Sequence, residues 1–157
     1  MSTRLEIAEV RAASPGFPDL VALFQGYRRH YGQSAEDAAE VQDWLGSQLA
    51  GGGLRGFLAH RHGEPGGMAL VAPTPASVRL GHFWQLRDLY VMDHHRRAGI
   101  GRALLVHVRD VAAAEGALRL ALTTEADNTG ALALYRELGF EPVDGYTSMS
   151  LTTEISG

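Results

Sequence analysis

The sharpest chemical feature of the sequence is a run of six residues, Arg96-Arg97-Ala98-Gly99-Ile100-Gly101. An apolar stretch precedes it, and a helical stripe of Leu104, Leu105, Val108, Val111 and Ala112 follows it. A glycine-bearing loop that opens a helix is an anion site. The N–H groups of the first turn converge there without intrahelical partners, and the helix dipole adds positive potential. Glycine lets a phosphate approach the backbone with no Cβ in the way, and Arg96, Arg97 and Arg102 add charge around it. With 19 glycines in the chain, about two Gly-x-Gly pairs are expected by chance. Gly51/Gly53 and Gly99/Gly101 are such pairs, so context selects the second. A dinucleotide loop would carry a third glycine at position 104, which is Leu.

A second constellation lies downstream. Asn128 is the one Asn of the chain. Asn is a preferred helix N-cap, its amide can also bind a ligand, and the two uses can coexist. Tyr135 follows two helical turns later and shares a face with Asn128 and Ala131. It reads either as an aromatic packed on a sheet or as a proton donor. Asp88 lies in the apolar stretch, where a strand would turn it away from Arg87 and Leu89. It reads equally as a structural carboxylate or a substrate contact. Tyr27, His30 and Tyr31 fall near the end of an early helix, Tyr27 as a partly packed ring. Glu36, Asp37 and Glu40 read as a solvated helix face. His94 and His95 read as solvated, and with no third convergent ligand no metal site is expected.

Composition excludes much other chemistry. All 14 basic residues are Arg, and there is no Lys and no Cys. Schiff-base catalysis, a Walker-type phosphate loop, thiolate nucleophiles, disulfides and thiolate-bound zinc are therefore absent. A formal charge of −4 gives no basic excess for nucleic acid. The sequence has neither a signal-peptide apolar core at its start nor the roughly 20 apolar residues of a membrane span. The expectation is a soluble, cytoplasmic protein, one domain over residues 1–157.

The elements that must position these residues are read from periodicity. Leu5 and Ile7 alternate as a strand, and residues 15–18 form a turn. Asp19 leads a helical stripe of Leu20, Leu23, Phe24, Tyr27 and Tyr31. Ser34, Ala35, Glu36 and Asp37 start a second helix, which ends at the glycines of residues 51–53. Strands follow at 57–60 and 68–71, joined by a turn. Pro73 and Pro75 break the chain, and a long strand runs over 83–92. The helix after the glycine loop stops near Gly116. A strand at 118–122, a short helix at 131–138 and a last strand at 146–151 complete the order, with an extra short strand at 140–143. The expected class is α/β (α+β): a single mixed, mostly antiparallel central sheet flanked by helices.

Residues 86–151 resemble the GNAT superfamily of acetyl-CoA-dependent N-acetyltransferases. Four pieces carry the resemblance, in order and spacing. Leu86-Arg87-Asp88-Leu89-Tyr90-Val91 is similar to the central strand of the superfamily, and Arg96-x-x-Gly99-x-Gly101 to its pyrophosphate loop. Asn128 with Ala131 and Tyr135 resembles its Asn-x-x-Ala-x-x-x-Tyr helix, and Leu138-Gly139-Phe140 the turn after it. The Leu-x-Asp-Leu-Tyr-Val strand resembles the branch that holds diamine and polyamine acetyltransferases, in which dimers are common.

The resemblance implies an acyl-CoA N-acyltransferase fold with acetyl-CoA as cosubstrate and no metal. The backbone of Leu89, Tyr90 and Val91 would pair with the pantetheine arm. Arg96, Arg97, Ala98, Gly99, Ile100, Gly101 and Arg102 would hold the pyrophosphate, Asn128 would bind the pantetheine, and Tyr135 would protonate the departing thiolate. A phenol near pKa 10 suits that task. The acceptor would be a small-molecule primary amine, met by Tyr27, Tyr31 and Asp88. The superfamily often places a Glu or His base at positions that match Gln85 or Arg87, and neither can serve. Asp88, Glu125, His82 or a water relay remain open as the base. A non-catalytic acyl-CoA-binding module and a peptide or protein N-acetyltransferase remain open as alternatives.

Overall fold

In the computed structural model, residues 4–33 and 37–154 are described. The chain divides into two units, Met1–Glu125 and Ala126–Gly157. The first contains β1 (Leu5–Val10), α1 (Phe17–His30), α2 (Ala38–Gly51), β2 (Arg55–Arg61), β3 (Glu64–Ala76), β4 (Gly81–Val91), α3 (Ile100–Ala114) and β5 (Leu120–Leu122). The second contains α4 (Thr129–Glu137). Ser34, Ala35 and Glu36, read as the start of the second helix, lie outside the described residues. Asp37 caps α2 through its side chain, which accepts from the Ala39 N–H at 3.1 Å.

The strands form one sheet in the order β1-β2-β3-β4-β5. The first four are antiparallel and β5 is parallel to β4, so the expected mixed, mostly antiparallel sheet is present. Each face has its own apolar layer. Leu58, Met68 and Leu70 pack with Leu20, Leu23 and Phe24 of α1 and Val41 and Leu45 of α2. Their neighbours in sequence point the other way, as alternation requires. There Phe57 meets Trp84 and the His107 ring of α3, at centroid distances of 6.3 and 5.7 Å. β3 lies between β2 and β4 and is buried on both faces from Gly66 to Val71.

Three readings of the sequence need correction. Pro73 and Pro75 do not break the chain: β3 runs through them, with Pro73 opposite Trp84 and Pro75 opposite His82. The β2 ladder ends at Val71, so these prolines lie where the strand has one neighbour, and a missing N–H costs little there. α1 starts at Phe17, two residues before Asp19, with Pro18 in its first turn, where an N–H has no partner to lose. The strands read at 140–143 and 146–151 are not formed. Alternation gives a segment the capacity to pair but supplies no partner strand. Val143, Tyr146, Met149 and Leu151 are all exposed.

The contact between α3 and the sheet depends on the absence of a side chain at Gly67. A Cβ there would lie 2.7 Å from Ile100 Cγ2 and 3.0 Å from the Tyr90 carbonyl oxygen. Backbone cannot yield as a flexible side chain can, so Gly67→Ala must displace the start of α3. We expect this substitution to lower the unfolding free energy by about 1–3 kcal/mol, the usual cost of overpacking. Urea denaturation measures it, and an unchanged midpoint would show that α3 does not depend on this close approach.

Candidate functional site

The site in the first unit is built on β4. Its pairing with β3 runs in step until Leu70 meets Asp88, while the adjacent Val71 meets Leu86. Arg87 is thus an extra residue, a β-bulge, and it reverses the side-chain phase of the strand. Before it, Leu86 pairs with Val71. After it, Asp88 and Tyr90 pair with Leu70 and Met68, which pack against α1 and α2. Asp88 and Tyr90 therefore share the α1 face.

On that face Asp88 lies beside Tyr27, close enough for each group to act on the other's ionisation. The Tyr27 ring contacts Tyr31 and Tyr90 at centroid distances of 5.0 and 6.0 Å. His30 approaches Tyr31 and Tyr90 at 5.4 and 6.4 Å. Burial raises the Asp88 pKa above the ordinary aspartate value, while the Tyr27 hydrogen bond and the charge of Arg87 act against the rise. Tyr27 is raised as well, first by burial and then by the Asp88 charge, so it remains a neutral phenol. The result is a half-buried carboxylate beside Tyr27, whose ring is part of an aromatic cluster in which Tyr31 is exposed.

The end of β4 is open on one side. Pairing with β5 covers Trp84, Gln85 and Leu86 and stops at the bulge. From Arg87 to Val91, β4 has no strand on that side among the described residues, so backbone groups of Leu89, Tyr90 and Val91 can pair with an extended ligand.

The glycine loop follows. Arg96 braces it: its Nε donates to the Val91 carbonyl at 3.3 Å and its guanidinium pairs with Asp93 at 3.0 Å. Its charge is thus already engaged within the loop. Arg97, exposed, has φ of +62°, a backbone region that non-glycine residues seldom enter. Ala98 leads to Gly99, which caps α3 at φ of +81° with no side-chain cap hydrogen bond. α1 also starts without one, whereas α2 and α4 are capped by Asp37 and Asn128. The buried Ile100 side chain anchors the helix start while the backbone N–H groups of Ile100 and Gly101 face the loop's mouth without a cap. Arg102 is exposed on the same first turn.

In the second unit, Asn128 Oδ1 accepts from the Ala131 N–H at 3.3 Å. The cap uses the oxygen and leaves the amide NH2 as the group that can donate to a ligand. Tyr135 is fixed by the helix end. Phe140 N–H donates to the Tyr135 carbonyl at 2.9 Å and Gly139 N–H to the Arg136 carbonyl at 3.0 Å. Gly139 stands at φ of +98°. This is a Schellman motif with its apolar contact, since the Tyr135 and Phe140 rings meet edge to face at 5.7 Å. The Leu138-Gly139-Phe140 turn therefore sets the Tyr135 ring.

Sequence reasoning missed the bulge at Arg87. The signal was present: the apolar positions 84, 86, 89 and 91 keep a period of two except for one step of three. It also missed that α1 passes close to Tyr90 at Gly26, where a Cβ would lie in ordinary contact with the ring at 3.4 Å. His95, read as solvated, is buried at 5% exposure, because the turn after β4 folds its ring against Gly66.

Comparison with known proteins gives the family. The model of the acetyltransferase (GNAT) family matches residues 17–140. The chain belongs to this family. It is 33% identical to an uncharacterized N-acetyltransferase, YhfO, of Bacillus subtilis, over 84% of this chain and 88% of the relative. It is also 33% identical to the streptothricin acetyltransferase of Streptomyces lavendulae, over 80% of this chain, and spans 59% of that protein. The crystal structure of a probable acetyltransferase superposes with a TM-score of 0.85 at 25% identity, covering 96% of this chain and 99% of its own. The protein is a GNAT acetyltransferase, an enzyme acting with acetyl-CoA. No helix among the described residues is long and apolar enough to cross a membrane.

The raised Asp88 pKa has a consequence for stability. Folding favours the protonated carboxyl, so an ionised Asp88 lowers stability. The penalty is absent below the unfolded value of about 3.9. It grows as pH rises from there through the folded value and is then constant. We expect Asp88→Asn to melt at a higher temperature than the parent at pH 7, with the gain vanishing as the pH falls toward 4. Thermal melts across that range test it, and a variant less stable than the parent at pH 7 would contradict the burial argument.

Proposed function

We propose that this acetyltransferase transfers the acetyl group of acetyl-CoA to a primary amine of a small cationic molecule, a polyamine-like compound among the candidates. The observation that carries the reading is the half-buried Asp88 carboxylate beside Tyr27, whose ring belongs to a cluster with Tyr31, Tyr90 and His30. A partly desolvated carboxylate attracts an ammonium strongly, and aromatic faces stabilise a cation through their quadrupoles. The streptothricin acetyltransferase among its relatives is in keeping with a small-molecule acceptor.

In this reading Asp88 binds the acceptor ammonium and takes one proton from it, directly or through a water. The free amine then attacks the thioester carbonyl. A backbone N–H of the β4 end stabilises the tetrahedral oxyanion. Collapse expels coenzyme A as a thiolate, and Tyr135 protonates it. The second proton of the former ammonium goes to solvent, and the Tyr135 phenolate regains its own proton from water. The transfer uses no enzyme nucleophile, in keeping with a chain without Lys or Cys. The α3 N-terminus and Arg97 hold the pyrophosphate, Arg102 adds its charge, and Asn128 donates its amide to the pantetheine.

The test is thiol release from acetyl-CoA over polyamines, aminoglycosides, amino acids and peptide N-termini. We expect turnover with the small polycations. Asp88→Asn should lower kcat/KM for the amine at least about tenfold with an unchanged KM for acetyl-CoA. Tyr135→Phe should lower kcat about a hundredfold, the scale of a lost general acid. Transfer confined to peptide N-termini would overturn the acceptor class. Full activity in Tyr135→Phe would remove that residue from the acid role.

A further inference from the structure

Glu64, His94 and His95 converge outside the transfer site. Each offers one ligand atom, and the three atoms lie within 4.8 Å of one another. The sequence places the histidines thirty residues from Glu64, and the fold brings them together. Glu64 opens β3 just after the tight turn from β2. Met92, which leads out of β4, donates its N–H to the Gly66 carbonyl at 2.9 Å. That bond lays the Asp93–His95 turn across the start of β3.

His95 is unusual there. Its ring is buried against Gly66, where a Cβ would come within 3.2 Å of Cγ. Both of its nitrogens are buried and neither has a hydrogen-bond partner. Buried polar atoms nearly always have one. Nε2 lies 3.5 Å from Glu64 Oε2, and the His94 ring stands 4.3 Å away, centroid to centroid. A buried imidazole without a partner, beside a second imidazole and a carboxylate, is a donor set suited to zinc.

We propose that Glu64, His94 and His95 bind a divalent transition-metal cation of the Zn2+ class, with a fourth position open to water. Ligand atoms on a tetrahedral zinc stand about 3.4 Å apart, given bonds near 2.1 Å. The Glu64–His95 pair is already at that spacing. Glu64 and His94 are exposed, so rotation of their side chains closes the remainder. The ion pins the turn between β2 and β3 to the segment that feeds the glycine loop, a structural tie with no part in acetyl transfer.

Calorimetric titration of ZnCl2 into the untagged, chelator-treated full chain tests the site. Wild type should show one saturable site. Glu64→Gln and His94→Ala, which change exposed side chains and should keep the native melt, should each weaken it at least about tenfold. Visible absorption of added Co2+ gives a second readout, with ligand-field bands in wild type and their loss in both variants. A wild-type titration without saturable binding, or either variant binding as tightly as wild type, overturns the proposal.

Discussion

One inserted residue governs how β4 is used. Up to Leu86 the strand sends Trp84 and Leu86 toward the layer under α3, and beyond Arg87 it sends Asp88 and Tyr90 toward α1. Without the bulge, Asp88 would point into the apolar layer beneath α3, where a carboxylate has no compensation. With it, the same strand anchors both layers of the molecule and still presents a carboxylate to Tyr27. The bulge also falls where pairing with β5 stops. The phase change and the open backbone thus begin at the same residue, so the half-buried carboxylate and the edge that can meet an extended cosubstrate are set together.

The site keeps a carboxylate that folding disfavours. Burial raises the Asp88 pKa, and its two opposing influences, Tyr27 and Arg87, do not cancel the rise. A group selected for stability alone would be neutral at that position. Functional sites commonly retain such local costs, and under the proposed function an arriving ammonium would offset this one. The glycine loop follows a similar logic. Arg97 holds an unfavourable backbone angle, Gly99 takes a left-handed one, and α3 starts without the side-chain cap that α2 and α4 possess.

Much of this was legible because the deciding chemistry is local. Gly99 before an apolar helical stripe, Asn128 before α4 and Gly139 after it each act within one turn of chain, and each is found at the helix end where the sequence places it. What was illegible depends on contacts distant in sequence. His95 reads as solvated, since nothing in the sequence says that Glu64 and Gly66 lie beside it. Pro73 and Pro75 read as breaks, since which strand edges are unpaired is a property of the sheet. The bulge falls between the two cases: its step of three was written in the apolar spacing, but only the β3 register shows which residue is extra. Tyr27 and Asp88 were each read with a packing alternative, and the fold supplies what the sequence could not, their contact.

The account stands on Asp88 being a half-buried carboxylate beside Tyr27 on the α1 face. The most direct measurement is an NMR titration of the Asp88 side-chain carboxyl carbon in the parent and in Tyr27→Phe. The account predicts a midpoint above the ordinary aspartate range in the parent, moving higher in the variant as the hydrogen bond that favours the ionised form is removed. A parent midpoint at or below the ordinary range, or one that Tyr27→Phe leaves unmoved, would contradict it.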